Sequence, residues 1–452
     1  MLRMRRQFSV VVCFAVVGFW VLPSTSLGDE LTETSPSGFL QQTNLSSIVL
    51  PTEWTGNPIQ WEVELDGYGQ SMPIVHRNIV YVTSVSGNEK DECVVDCFDI
   101  ATGKSEWQYR RPSSNRVASG PMVSRAAPTP ACDDSAIYVF FETGDLLCLS
   151  HAGALNWQID LQKAFGSFEN KFGLSASIAQ SGEHIFLLLD HEGTSSIVSL
   201  YKSDGTVRWK SDRGSRGHNW SSPAIIDVDG IPVIVCSSPG AIDAYDVSTG
   251  ELLATYTNVG GNSVATPIDL GDGRFLVASL IRPADGPSRG ALTSNMMLQL
   301  VVESQEYQFR KLWVAENARG SFASPILYKT ECYFVNPQGV VYCVDAATGK
   351  EHYAKRIPCG GCWATPIACD EHIYFFGRDG QTTVLRAGPK FEIVAEENLV
   401  KPDALADEEM DVAQQPLARN SRPSLYATVV TNEGLIFRFG SSMSMIPLRA
   451  EP

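Results

Sequence analysis

Positive charge is scarce in this 452-residue chain, which has 35 Lys and Arg residues against 51 Asp and Glu residues. The formal charge of −16 argues against a nucleic-acid-binding protein, because such proteins need cations to displace counterions from phosphates. Long apolar runs are missing after the N-terminus, which excludes a helical membrane protein. GxSxG, HExxH, Walker and Rossmann motifs are also missing. Two short acidic segments, 227–230 and 269–273, are interpreted as turns rather than calcium loops, so no metal site is predicted.

The one long apolar run opens the chain and has the features of a secretory signal peptide. Arg3, Arg5 and Arg6 precede a 15-residue apolar stretch, 8–22, which is short for a bilayer span. Small residues then offer a cleavage site, so we expect residues 1–28 to be removed. The mature protein is predicted to be a monomer without a membrane span, exported to the periplasm or the extracellular space. The alternative is an uncleaved anchor.

An internal repeat organises the rest of the chain. Turns of the DxxTG or DG type lead into strands that carry an aromatic residue, and these outer positions recur every 40 to 59 residues. A small residue, any residue and a proline open most units. Each unit is therefore predicted to be one four-stranded propeller blade, with the bulky rings packed between neighbouring blades. The predicted inter-blade residues are Trp61, Trp107, Trp157, Trp209, Trp313 and Tyr353.

The repeat predicts an all-β fold, a single eight-bladed β-propeller of four-stranded antiparallel blades. We place it at residues 58–441, between an N-terminal extension, 29–57, and a C-terminal tail, 442–452. The segment 424–440 contains strands but is not followed by an outer strand with an aromatic residue. The segment 59–65 is such an outer strand, but it has no blade of its own. We therefore expect 59–65 to lie alongside 434–440, where it completes the last blade and closes the ring, which removes exposed strand edges.

The DxxTGxxxW pattern resembles the repeat of pyrroloquinoline-quinone-type (PQQ-like) propellers. The best copies are DIATGKSEW (99–107) and DAATGKEHY (345–353), and the resemblance covers about 58–441. Within this family, quinoprotein dehydrogenases hold PQQ and calcium at the propeller axis, whereas BamB-like members are scaffolds without a cofactor.

The sequence departs from both branches. It has no Cys-Cys dipeptide, which quinoprotein alcohol dehydrogenases use over the cofactor, and it shows no lipidation site, which BamB has. We expect an exported, non-catalytic propeller without a cofactor, closest in type to BamB, that acts as a binding or scaffold module. The alternative is a quinone-dependent oxidoreductase with PQQ and calcium.

In such a propeller, the loops between the outermost strand of one blade and the innermost strand of the next surround the channel. The first seven of these loops hold twelve Lys or Arg residues and five acids, and the eighth, 395–423, is long and acidic. We hypothesise a channel mouth that binds an anionic small molecule or a protein through cations and stacking rings. The alternative is that the rings fill inter-blade seams and the arginines face solvent. The candidate residues are Arg116, Arg125, Arg216, His218, Trp220, Arg319, Phe322 and Trp363.

Two cysteine pairs have spacings that merit a prediction. Cys359 and Cys362 form a CGGC motif, which is either a redox dithiol or half of a metal site, or else a small local disulfide or two free thiols. Cys332 and Cys343 flank a hairpin, and the simplest register places them opposite each other. They are therefore a second possible disulfide.

Overall fold

The computed structural model describes residues 38–40, 48–54, 59–119, 123–280, 294–399 and 424–448. These residues form eight four-stranded antiparallel sheets, the blades of one propeller. The predicted all-β class and the number of blades are confirmed. The predicted signal peptide and most of the predicted acidic loop lie outside the described residues.

The chain enters the fold with β1 (Trp61–Glu64), which belongs to the last blade. Blades one to four then pair their strands in sequence order. Blade one contains β2 (Ile74–His76), β3 (Ile79–Ser86), β4 (Glu92–Asp99) and β5 (Ser105–Pro112); blade two contains β6 (Ala131–Cys132), β7 (Ile137–Phe140), β8 (Asp145–Leu149) and β9 (Leu155–Asp160). Blade three contains β10 (Ala179–Ser181), β11 (His184–Leu189), β12 (Ser195–Tyr201) and β13 (Val207–Gly214); blade four contains β14 (Ala224–Val228), β15 (Ile231–Ser238), β16 (Ala241–Asp246) and β17 (Leu252–Tyr256).

Blades five to seven repeat this order, and blade eight closes the ring. Blade five contains β18 (Ile268–Asp269), β19 (Arg274–Val277), β20 (Met296–Glu303) and β21 (Glu306–Val314); blade six contains β22 (Ile326–Tyr328), β23 (Glu331–Val335), β24 (Val340–Asp345) and β25 (Glu351–Arg356). Blade seven contains β26 (Ile367–Cys369), β27 (His372–Phe376), β28 (Gln381–Arg386) and β29 (Ile393–Asn398); blade eight combines β30 (Leu425–Val430), β31 (Gly434–Phe439) and β32 (Ser442–Pro447) with β1. The described residues include one short helix, α1 (Leu161–Phe165), and no helix there is long and apolar enough to cross a bilayer.

Burial explains why the sequences of the middle strands are continuous apolar runs. Every residue of β7 and β8 is buried, because neighbouring blades cover both faces of the sheet. The outer strand β5 instead alternates between exposed and partly buried residues. The core therefore lies between blades rather than within one, as in the cluster that joins Tyr81 of blade one to Val139 of blade two.

Tryptophans on the outer strands join five of the blades to the next one around the ring. Each indole N–H donates to a backbone carbonyl of the following blade, which satisfies the polar atom of a ring that is otherwise packed on apolar surface. The bonds are Trp61 to Ile100 (2.7 Å), Trp107 to His151 (2.9 Å), Trp157 to Lys202 (2.9 Å), Trp209 to Val247 (3.1 Å) and Trp313 to Ala346 (2.8 Å). Tyr353 takes the same place in blade six and meets Phe391 edge to face at 5.4 Å.

Blade eight corrects the predicted end of the propeller. The expected partner of 59–65 was the segment 434–440, but β1 pairs with β32, with Trp61 opposite Met445. The reason is a two-residue turn, because Phe439 lies opposite Ser442 and Gly440 takes a positive φ of 40°. The predicted tail at 442–452 therefore contains the third strand of this blade, and the prediction that placed 59–65 directly beside 434–440 is wrong by one strand.

Candidate functional site

The inner strands begin at the central channel, and the residues just before them line a cavity there. In several blades this residue is the middle one of the small-x-Pro motif, such as Ser222 before Pro223. Six such positions carry a hydroxyl group, one from each of blades two to seven. We call them the hydroxyl ring: Thr129, Ser177, Ser222, Thr266, Ser324 and Thr365.

Hydrogen bonds connect the hydroxyl ring from blade to blade. The backbone N–H of each position donates to the side-chain oxygen of the corresponding position in the next blade. The bonds run from Met72 to Thr129 (3.0 Å), Thr129 to Ser177 (3.0 Å), Ser177 to Ser222 (2.9 Å), Ser222 to Thr266 (2.9 Å), Thr266 to Ser324 (3.1 Å) and Ser324 to Thr365 (3.2 Å). The series satisfies buried backbone groups and fixes six hydroxyls around the axis.

The cavity beside the hydroxyl ring has a volume of about 380 Å³. Its other main lining is aromatic, and its described lining residues include no charged side chain. We call the aromatic part the aromatic wall: Phe172, Trp220, Phe322, Trp363 and Tyr426. The site therefore combines neutral hydroxyls with large apolar surfaces.

The aromatic wall consists of two groups of rings in contact. Trp363 lies 4.9 Å from Phe322 and 5.5 Å from Tyr426, measured between ring centroids. Phe172 and Trp220 form the second group, with centroids 5.9 Å apart. Trp220 is held by its indole N–H, which donates to the carbonyl of Gly173 at 3.1 Å. Because adjoining blades supply each group, the fold itself sets the positions of the rings.

The segment 38–40 lies beside this cavity. Phe39 lines the cavity and packs against the apolar group of Met72 and Ala427, from blades one and eight. Leu40 packs against the cluster of blades five and six that includes Ala265. The N-terminal part of the chain thus contributes to the site, a feature that the sequence analysis did not predict.

Three of the predicted mouth residues, Trp220, Phe322 and Trp363, line the cavity. The predicted arginines do not. Arg116 is highly exposed and pairs with Glu89 at 3.2 Å. Arg319 donates to the backbone carbonyl of its neighbour Ala318 at 2.8 Å.

Arg216 is instead part of a buried charge cluster between blades three and four. It contacts Asp243 at 2.7 Å, and Arg213 binds Asp190 at 2.9 Å and Asp243 at 3.3 Å. Burial opposes the charge of Arg213, but the two carboxylates hold the pKa of its guanidinium above the ordinary value. Arg216, the candidate of this cluster, is thus paired with a carboxylate and does not line the cavity.

His218 and Arg125 lie behind the lining rather than on it. The His218 ring stacks on Trp220, with centroids 5.9 Å apart, and contacts Glu192 at 2.7 Å. Arg125 lies over the ring of Tyr68 at 3.3 Å. His218 thus contacts the wall from behind, whereas Arg125 contacts a ring that does not line the cavity.

Arg378 was not among the candidates, yet it contacts a ring that lines the cavity. Its guanidinium is 4.3 Å from the centroid of the Trp363 ring, a cation–π contact. It also donates to the hydroxyl of Ser424 at 2.9 Å. The signal for it is weak, because a single arginine in a turn has no pattern that marks it.

The hydroxyl ring was also missed, although its signal is visible. The small-x-Pro motif predicts the start of a strand, and its middle residue has no role in that prediction. That middle residue is Ser222, Thr266, Ser324 or Thr365 in four of the five copies, and Met72 in the other. A hydroxyl recurring at one position of a propeller repeat indicates a shared place on the axis.

The cysteine pairs differ in how the structure places them. Cys332 lies opposite Val344, and Cys343 lies opposite Tyr333, so the two cysteines are on different faces of the blade. The predicted alignment of Cys332 with Cys343 is wrong because the hairpin loop is one residue longer than assumed: Val335 pairs with Val341.

Cys359 and Cys362 lie together in the loop before blade seven, next to Trp363. Both are buried free thiols, and their side chains are in hydrogen-bonding contact. That contact lowers the pKa of Cys359 and, with burial, raises the pKa of Cys362. No cluster of three metal-ligating side chains occurs in the described part of the chain.

The described lining does not match what PQQ with calcium requires. A carboxylate-bearing cofactor needs cations on the wall, and a calcium ion needs several oxygen ligands including carboxylates. The lining that the structure describes offers hydroxyls and aromatic rings instead, and the nearby Asp243 is already bound by two arginines. The chemistry of these donors favours a neutral ligand.

Comparisons with solved structures show the fold. BamB from Moraxella catarrhalis has 15% identity and a TM-score of 0.58, with 87% of this chain and 98% of that chain covered. The quinohemoprotein alcohol dehydrogenase from Comamonas testosteroni has 12% identity and a TM-score of 0.53, with 87% and 77% covered. The computationally designed Ika8 protein has 11% identity and a TM-score of 0.50, with 85% and 98% covered.

A comparison with curated proteins gave no match. A family model, described as "Outer membrane protein assembly factor BamB", matches residues 52–173 and 125–355, which together are more than half of the chain. The repeat, the eight closed blades and this match agree. The chain therefore belongs to the PQQ-like propeller family of the outer membrane protein assembly factor BamB.

Proposed function

We propose that the protein is an exported, non-catalytic propeller that acts as a binding or scaffold module through its channel mouth. The observation that carries this proposal is the aromatic wall, which exposes large rings in a cavity of about 380 Å³ above a series of fixed hydroxyls. Preformed concave sites of this kind, apolar with a few placed polar groups, are typical ligand sites. Membership of the BamB family supports a scaffold role.

The arginines take a supporting part in this proposal. Arg378 and Arg125 lie against the aromatic rings of Trp363 and Tyr68, and the Tyr68 hydroxyl is 3.1 Å from that of Tyr426. The two cations thus lie against aromatic rings and are not part of the cavity lining. In this proposal the rings and hydroxyls contact the ligand. The sequence instead predicted a mouth whose cations bind an anion.

Binding at the mouth is tested by site-specific photocrosslinking. A photoreactive amino acid replaces Val264, which lines the cavity, and a matched variant carries it at Leu252, which is exposed on an outer strand. We expect adducts in cells at position 264 only, and their loss when Trp363→Ala is added. Equal adducts at both positions, or adducts that survive Trp363→Ala, would contradict the proposal.

The non-catalytic part and the export are tested separately. The purified protein is supplied with PQQ and calcium and assayed for dye-linked oxidation of alcohols and sugars, and we expect no turnover. Saturable turnover would instead establish the quinone-dependent oxidoreductase. Export predicts that protein recovered from outside the cytoplasm begins near residue 29, and N-terminal sequencing of that fraction checks it.

A further inference from the structure

The hydroxyl ring has bonding capacity that the fold leaves unused. A Ser or Thr hydroxyl has one hydrogen to donate and two lone pairs to accept. Each member of the ring accepts one backbone N–H, and no further bond of these side-chain oxygens is found in the described structure. Thr129, Ser177, Ser222 and Ser324 are at most 3% exposed. Buried hydroxyls with an unused donor and lone pair are a built hydrogen-bonding surface.

The chemistry of the lining selects among ligand classes. An anion would require cations on the wall, and the lining described by the structure has none. A purely apolar ligand would cover the hydroxyls without satisfying them, which costs free energy for each buried donor. A ligand rich in hydroxyl groups matches best, because its groups also both donate and accept.

The aromatic wall supplies the second half of a site for such a ligand. Sugar rings present C–H groups on their faces, and these carry partial positive charge that complements the negative face of an aromatic ring. Trp363 with Phe322 and Trp220 with Phe172 form two such surfaces, at centroid separations of 4.9 and 5.9 Å. The cavity volume of about 380 Å³ lies within the range of small-molecule sites, roughly 300–1,000 Å³.

We propose that the cavity at the channel mouth binds a neutral saccharide, a mono- or disaccharide unit whose faces stack on the aromatic wall and whose hydroxyls bond to the hydroxyl ring. This inference rests on the proposed function and names the ligand class of the same mouth. Phe39 lines the same cavity and adds a further ring to its apolar surface.

The test is a titration of the purified protein, followed by intrinsic tryptophan fluorescence and calorimetry. The probes are maltose, cellobiose and N,N′-diacetylchitobiose, with digalacturonic acid as the charged counterpart. We expect saturable binding of at least one neutral disaccharide, with an affinity that changes less than twofold between 50 and 500 mM salt, because no ion pair is involved. Absence of saturable binding by all three, or stronger binding of the uronic acid, would overturn the inference.

Variants assign the binding to this cavity. Thr266→Val keeps the side-chain shape and removes the hydroxyl, whereas Thr266→Ser keeps the hydroxyl. We expect about a tenfold weaker affinity in Trp220→Ala and in Thr266→Val, and near wild-type affinity in Thr266→Ser and in Tyr201→Ala, an exposed ring on an outer position. Circular dichroism shows whether each variant is folded, and Trp220→Ala is the readout if Thr266→Val unfolds.

The outcome also separates this inference from the proposed function. If crosslinking at position 264 succeeds and no neutral saccharide binds, the mouth is a binding surface and the saccharide assignment is wrong. If both fail, the proposed function is wrong as well. Affinity unchanged in both Trp220→Ala and Thr266→Val would place the sugar elsewhere and overturn the inference.

Discussion

His76 occupies an unusual position between blades one and two. Its ring is 5% exposed and stacks on His151, with centroids 4.8 Å apart and planes 11° from parallel. Burial lowers the pKa of His76 below its ordinary value of 6.5, and the charge of His151 lowers it further, against an opposing effect of Asp134. Arg77 also lowers the pKa, and Asp133 raises it. Folding therefore favours the neutral form of this imidazole relative to the unfolded chain.

The lowered pKa of His76 should make the stability of the fold depend on pH. Between its lowered pKa and 6.5, the unfolded chain binds a proton that the folded chain does not, so stability rises with pH in that window and is lost as pH falls through it. We expect His76→Phe, which retains a stacking ring, to show a smaller decrease in melting temperature between pH 7.5 and 5.5 than wild type. Thermal melts at both pH values measure this. His352→Gln, at an exposed position, is the control, and an unchanged pH dependence in His76→Phe would contradict the prediction.

Cys359 should be the most reactive thiol of the described chain. Burial raises the pKa of Cys97 and Cys236 to about 12, whereas the hydrogen bond from Cys362 lowers the pKa of Cys359. The thiolate is the nucleophile, so iodoacetamide at pH 7.5 should label Cys359 first, as read by mass spectrometry of peptides. Cys362→Ser keeps a hydrogen-bond donor and should preserve the rate, whereas Cys362→Ala should slow it several-fold. Initial labelling at another cysteine would refute this assignment.

At the scale of elements, the turn between the two outer strands determines how blades meet. In blade one, the Asp99 carboxylate accepts the backbone N–H of Thr102 at 2.9 Å, and Gly103 follows with a φ of 67°. The indole of Trp61 lies directly on this glycine: an ideal Cβ there would be 2.7 Å from the ring. The DxxTG turn thus combines a positive φ with a flat surface for the tryptophan of the preceding blade.

Two glycine substitutions separate these effects. Gly182, in the first hairpin of blade three, also has a positive φ, of 53°, but an added Cβ there would meet nothing within 4 Å. Gly182→Ala should therefore cost only the backbone strain, roughly 1 kcal/mol of unfolding free energy. Gly103→Ala should cost roughly 1–3 kcal/mol more, because the Trp61 ring must move. Urea denaturation measures both, and equal losses would show that the ring does not depend on the glycine.

The same turns show why much of the fold could be predicted from sequence and some pairings could not. Asp-Thr-Gly turns and aromatic outer strands are local patterns, so the blades were countable. The pairing of Cys332 depends on whether a hairpin loop has four or five residues, which no local pattern fixes. Likewise, Trp220 and Trp363 could be placed at the mouth because they lie in loops that surround the channel. The pairing of Arg216 with Asp243, which lies in a strand of blade four, could not be predicted, because only packing determines that contact.

For the whole molecule, closure depends on joining strands from the two ends of the described chain. β1 pairs with β32 over four residues, and Trp61 then contacts blade one as every other outer tryptophan contacts its following blade. Arg438 adds a second link, since its buried guanidinium in blade eight donates to the hydroxyls of Ser71 and Ser84 in or beside blade one, at 2.8 and 3.0 Å. The ring is thus closed by interactions of the same kind as those between its interior blades.

If closure is equivalent to an interior interface, then removing the tryptophan at either place should have the same effect. Trp61 and Trp313 are 7% and 6% exposed, their indoles donate to carbonyls at 2.7 and 2.8 Å, and each lies on a turn glycine. We expect Trp61→Ala and Trp313→Ala each to lose about 3–5 kcal/mol of unfolding free energy. Both should keep one cooperative transition, because each blade is stabilised by its neighbours.

Urea denaturation followed by near-ultraviolet circular dichroism compares the two variants under identical conditions. A much smaller loss for Trp61→Ala than for Trp313→Ala would mean that β1 is a loosely attached strand and that the propeller is open at blade eight. A second transition in Trp61→Ala alone would mean the same. Equal losses would instead establish that the interface closed by β1 and its one buried indole is as strong as the interfaces formed along the chain. That result is expected because every blade of a closed ring has two neighbours.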